Sequence, residues 1–156
     1  MPSTPTGARP DTVRVAIVAA HWHADIVGQA VASFRSALAE RGVGEVDEYQ
    51  VPGAFEIPLH TRRLALTGRY DAIATCAFVV DGGIYRHDFV AGTVVDALMR
   101  VQLDTDVPVF SAVLTPQAFH EHAEHQEFFA RHFQVKGREL ADAVVTTVAG
   151  LAALPA

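Results

Sequence analysis

The chain has 156 residues, half of them hydrophobic, with a formal net charge of −6 and one cysteine. That length and apolar content give one domain with a sizeable core; the acidic balance, with no basic stripe carrying interleaved aromatics, excludes a nucleic-acid binder and points to small-molecule partners. The lone Cys76 excludes a disulfide framework or a cysteine metal cluster and fits a reducing cytoplasm, and no apolar run is long enough to span a bilayer or make the chain a membrane protein.

Residues 1–12 read as a flexible, proline-rich leader, neither signal peptide nor anchor, ahead of a single domain over residues 13–156. Val13 to Ala20 is a β-branched run and reads as the first strand, with His21-Trp22-His23 at its carboxyl end. From Ala24 to Arg41 the apolar residues recur at helical spacing, and Gly42 supplies the stop. Glu45 to Val51 reads as a short second strand ending at Pro52-Gly53, and a helix follows from Ala54 to about Thr67, with Pro58 tolerated near its first turn.

Asp71 to Val80 has too few polar residues for a half-wet strand, so it reads as the buried centre of a parallel sheet. A Gly82-Gly83 turn leads into a helix from about Ile84 to Leu103, and Pro108 to Leu114 reads as a fourth strand. Thr115-Pro116 opens a polar helix dense in histidine and glutamate, and a separate last helix runs from about Lys136 to Leu151. Strands separated by helices predict an α/β fold, a four-stranded parallel sheet with helices on both faces.

In such a sheet the segments after all four strands emerge on one edge, where ligands bind. Trp22 there suits stacking on a flat heterocycle or packing into a core. Glu56 either complements its helix dipole or accepts from ligand hydroxyls. Gly82-Gly83 at a strand–helix junction is a plain turn or a nest of N–H groups for a phosphate, and Arg86 and His87 are solvated residues or the cation and titratable imidazole of that nest. His120, His122, His125 and His132 with neighbouring glutamates suggest a metal, but their spacing does not put three ligands on one helix face, so no metal is assigned.

Three blocks resemble 6,7-dimethyl-8-ribityllumazine synthase: Trp22 after the first strand, Val51 to Pro58 after the second, and Phe78 to Val90 around the glycine turn. The likeness runs from about Val13 to Leu151, and Trp22-His23-Ala24-Asp25-Ile26-Val27 with Gly82 to Phe89 looks like the type II branch found in rhizobia and brucellae. It implies a flavodoxin-like three-layer sandwich, assembled as pentamers or as decamers of two pentamers, with active sites shared between subunits and the leader joining or flanking a neighbour's sheet. The implied reaction condenses 5-amino-6-(D-ribitylamino)uracil with 3,4-dihydroxy-2-butanone 4-phosphate, without a cofactor.

By the same resemblance Trp22 stacks on the pyrimidine, Ala54, Phe55 and Glu56 hold the ribityl chain, and Phe78, Val79 and Val80 edge the ring. Gly83 and Ile84 offer N–H groups to the phosphate. Two departures from the family pattern stand out. The proton-carrying histidine aligns with Arg86 while His87 comes next, so His87 is assigned the proton and Arg86 the phosphate. The neighbouring subunit's phosphate arginine falls near His125, with Arg131 and Lys136 as nearby basic substitutes, and the aromatic cleft residue after the fourth strand falls on Ser111. A neutral histidine offers less charge than an arginine, which implies altered phosphate affinity or lower turnover and admits a second function, lumazine or flavin storage with weak catalysis.

Overall fold

The computed structural model describes residues 13–80, 86–116 and 123–156, except the side chain of Ala123. Its strands are β1 (Val15–Ala20), β2 (Val46–Val51), β3 (Ala72–Phe78) and β4 (Val109–Leu114); its helices are α1 (Ala24–Glu40), α2 (Ile57–Ala65), α3 (His87–Thr105) and α4 (Ala123–Ala152). All strand pairs are parallel, in the order β2-β1-β3-β4. This is the flavodoxin-like order, and its switch point, where successive connections leave in opposite directions, lies between β1 and β3.

Alternation along the strands builds two cores. Val15, Ile17 and Ala19 of β1 with Ala74, Cys76 and Phe78 of β3 face Ile26, Phe34 and Leu38 of α1 and Phe133, Leu140 and Val144 of α4. Ala16, Val18 and Ala20 with Ile73 and Ala77 face Ile57 and Leu64 of α2 and Val94 and Leu98 of α3. Every residue of β1 and β3 is buried, which explains why these strands read as continuous apolar runs. Thr75, fully buried in β3, donates its hydroxyl to the Phe110 carbonyl at 2.9 Å.

The predicted strands and first three helices are present with ends shifted by a few residues, α3 running on past Leu103 to Thr105; residues 54–56 form one 3-10 turn before α2, and the predicted residues Ile84 and Tyr85 lie outside the described residues. The end of the chain needs correction. Thr115 and Pro116 are not helical, and the described part of the last segment is one 30-residue helix rather than two. Its apolar stripe, Phe129, Phe133, Leu140, Val144 and Val148, runs unbroken through Gly137. At Gly137 a Cβ would collide with Ser33 Oγ and the Ala30 carbonyl, so the glycine lets α4 press against α1. Ser33 Oγ donates to the Gln134 carbonyl at 2.7 Å across the same contact, and Arg41 pairs with Asp142 at 2.5 Å.

Candidate active site

The carboxyl ends of β1, β2 and β3 open onto a cavity of about 430 Å³. Sheet pairing continues past the strand ends to shape it: His21 N–H donates to the Val51 carbonyl at 2.7 Å and Trp22 N–H to the Pro52 carbonyl at 3.1 Å. Those bonds set Trp22 beside Gly53, and the indole lies so close to the glycine Cα that a Cβ would collide with its six-membered ring. Trp22 is not a core residue, since 63% of it is exposed.

Gly53 N–H donates to Glu56 Oε2 at 3.0 Å, and Glu56 N–H donates to the Gly53 carbonyl at 3.3 Å. Glu56 is therefore a local cap, and its other carboxylate oxygen keeps acceptor capacity beside the cavity. Ala54 is buried and Phe55 exposed at the same turn. On the β3 side Phe78, Val79 and Val80 form the wall, with Val79 N–H held by the Leu114 carbonyl at 2.8 Å.

Arg86 and His87 close the mouth at the start of α3. The Arg86 guanidinium pairs with Asp88 at 3.0 Å and lies 4.2 Å from the centroid of the Phe89 ring. The hydrogen bond from Arg86, with its charge, holds the exposed Asp88 carboxyl below its ordinary range. Arg86 spends one of its donors on this pair and retains others for an anion.

Nine of the predicted site residues thus line one cavity: Trp22, Ala54, Phe55, Glu56, Phe78, Val79, Val80, Arg86 and His87. Gly83 and Ile84, with the rest of the glycine turn, and His120 and His122 lie outside the described residues. Ser111, His125 and Arg131 do not line the cavity. Ser111 sits exposed in the middle of β4, opposite Thr75, not after the strand. His125 is in the first turn of α4, its ring 5.0 Å from that of Phe129, and Arg131 is exposed further along the helix. Ala20, His23, Gly53, Ala77 and Val90 also line the cavity, and the sequence assigned none of them a ligand contact, although His23 and Gly53 stand in the segments expected to meet there. The small ones leave no chemical signal, whereas His23 stood next to the assigned Trp22.

A parallel sheet in flavodoxin-like order, with a largely apolar cleft at its switch point and polar groups confined to the rim, defines an α/β protein of the small-molecule-handling type. Comparison with known proteins narrows this. The family described as 6,7-dimethyl-8-ribityllumazine synthase matches residues 12–152. A Rhodococcus erythropolis protein named 6,7-dimethyl-8-ribityllumazine synthase is 62% identical over 144 residues, covering 91% of this chain and 93% of its own. Proteins named 6,7-dimethyl-8-ribityllumazine synthase 2 are 56% identical in Bradyrhizobium diazoefficiens, covering 94% of this chain and 88% of theirs, and 56% identical in Pseudomonas syringae pv. tomato, covering 86% and 81%. The chain belongs to the 6,7-dimethyl-8-ribityllumazine synthase family.

Proposed function

We propose that this protein forms 6,7-dimethyl-8-ribityllumazine from 5-amino-6-(D-ribitylamino)uracil and 3,4-dihydroxy-2-butanone 4-phosphate, the riboflavin-pathway reaction, in the cavity between β1 and β3. The observation that carries the reading is the convergence of an exposed indole, a carboxylate and an Arg–His pair on that one cavity, in a chain of this family. The reaction condenses an amine with a ketone, eliminates phosphate, closes a ring and loses water. It asks the protein to hold two substrates together, bind an anion and move protons.

Each demand has a residue. Trp22 offers its open face to the pyrimidine. Glu56, with Oε2 taken by Gly53, accepts from a ribityl hydroxyl through Oε1. Val79 N–H is already committed to Leu114, so the ring is edged by other main-chain groups of residues 78–80. Arg86, steadied by Asp88 and Phe89, attracts the phosphate, helped by N–H groups of Gly83 and Ile84, and His87 beside it carries protons.

The site is completed by a neighbouring copy of this chain. Phe55 at the turn before α2, Leu59 of α2, and Phe89, Met99 and Leu103 of α3 are exposed large apolar residues, suited to burial against a neighbour. Ser111, His125 and Arg131, which do not line their own subunit's cavity, then serve an adjacent one, in a pentamer or a decamer of two pentamers. The working unit is residues 13–156, placed in the cytoplasm with the pathway's small-molecule substrates.

Purified protein mixed with both substrates should develop the lumazine absorbance and release one phosphate per product. A protein that binds lumazine tightly yet releases no phosphate is a storage protein, and the synthase reading fails.

A further inference from the structure

His23 combines a left-handed backbone, a helix N-cap without a side-chain cap bond, and a place in the cavity wall. Its backbone sits in the left-handed region, at φ 60° and ψ 40°, where a side chain is strained and glycine is not. It stands at the N-cap of α1, where serine, aspartate or asparagine would accept from the first helical N–H groups, yet its side chain makes no such bond. Instead Ile26 and Val27 N–H groups donate to its backbone carbonyl, each at 2.9 Å, which any residue can provide.

The imidazole is committed elsewhere. It lines the cavity next to Trp22 and meets the Phe78 ring edge-on, with centroids 5.6 Å apart and planes at 84°. Phe78 is backed by Phe129 and Phe133 of α4 at 5.0 and 5.2 Å, so the surface the imidazole rests on is itself packed in place. A strained backbone that holds a polar ring against a rigid apolar wall, inside a ligand cavity, is the pattern of a functional constraint.

On the reading of the cavity given above, we propose that His23 is a substrate-positioning residue, its imidazole hydrogen-bonding the polar edge of the pyrimidine that Trp22 stacks upon. The left-handed turn places indole and imidazole as consecutive walls of one slot, a flat face from one and a donor or acceptor from the other. The stack alone tolerates any flat ring, and the imidazole adds a requirement for a carbonyl or ring N–H at one edge, which sets selectivity for a dione heterocycle.

Three variants test this: His23→Gly, which accepts the backbone and deletes the ring; His23→Asn, which tolerates the left-handed region and can hydrogen-bond; and His23→Ala. Steady-state turnover is measured with the phosphate-bearing substrate saturating and the pyrimidine varied, then the reverse, beside thermal melts. Expected is a rise of about tenfold in the pyrimidine KM of His23→Gly, with kcat and the other KM within about threefold and Tm not lowered. His23→Asn should return most of the loss. An unchanged pyrimidine KM in His23→Gly overturns the proposal, as do equal changes in both KM values together with a lower Tm. Absence of turnover in the parent defeats the synthase reading itself, whereas parent turnover with unmoved His23 variants defeats this inference alone.

Discussion

The six-membered ring of Trp22 rests on the Cα of Gly53, with no room for a methyl group between them. Gly53 has φ −143° and ψ −177°, an extended conformation open to any residue, so its lack of a side chain serves the indole and not the backbone. The relationship joins two strand ends into one wall of the cavity. It also makes the placement of Trp22 testable from the other side of the contact.

Gly53→Ala should displace the indole without straining the chain. Pyrimidine affinity should fall about as far as in Trp22→Ala, by roughly 1–3 kcal/mol of stacking and burial. Quenching of the sole tryptophan during titration reads the dissociation constant in Gly53→Ala, and calorimetry reads it in Trp22→Ala. An unchanged constant in both variants would show that the indole is not the stacking plate.

Glu56 carries two tasks that substitutions can separate. Glu56→Ala removes the acceptor for Gly53 N–H and should lower stability by about 1 kcal/mol, as loss of a cap does. Glu56→Gln keeps an acceptor for that N–H and should melt near the parent, while binding of the ribityl chain weakens because a charged acceptor has become neutral. Melting curves and pyrimidine titrations on both variants decide the matter.

Gly137→Ala should destabilise the protein although alanine is the better helix former. The added methyl meets Ser33 and the Ala30 carbonyl, and forcing α1 from α4 should cost about 1–3 kcal/mol, more than the propensity gain of about 1 kcal/mol. Gly28→Ala, in α1 with open space around its Cα, is the control and should hold or raise stability. Urea unfolding of the two variants gives the comparison.

Alkaline pH should destabilise the fold through groups that hold their protons in the native state. Burial, and then the hydrogen bonds to Asp47 at 2.6 Å and Tyr49 at 2.5 Å, push the Tyr70 phenol well above its ordinary range. Burial pushes the Cys76 thiol up to about 12. The unfolded chain loses both protons first, so these contributions are complete below the ordinary thiol range and decline as pH rises through it and then through the ordinary phenol range, about pH 10. Denaturant midpoints from pH 8 upward should fall. Tyr70→Phe should flatten only the part of the slope above about pH 10.

The strands and most helices were legible because their signals are local and physical. β1 and β3 are apolar throughout since both faces are covered, and α1 repeats its apolar residues at helical spacing. The joined α4 was not legible, because the polar stretch dense in histidine and glutamate and the apolar repeat after Lys136 look like two segments until the helix that both press against is known. At the site, Trp22, Glu56, Arg86 and His87 announce themselves by chemistry and by their place after strands. The dual use of Glu56, the pairing of Arg86 with Asp88 and the left-handed His23 depend on three-dimensional neighbours that no spacing encodes.

The most direct test of the central claim is the steady-state rate of lumazine formation by the parent, His87→Ala and Arg86→Ala, with both substrates varied. The account predicts turnover in the parent, a kcat lower by about 100-fold in His87→Ala with pyrimidine binding retained, and a raised KM for the phosphate-bearing substrate in Arg86→Ala. Lumazine formation at the parent rate in both variants, with both KM values unmoved, would contradict the assignment of this cavity as the catalytic one.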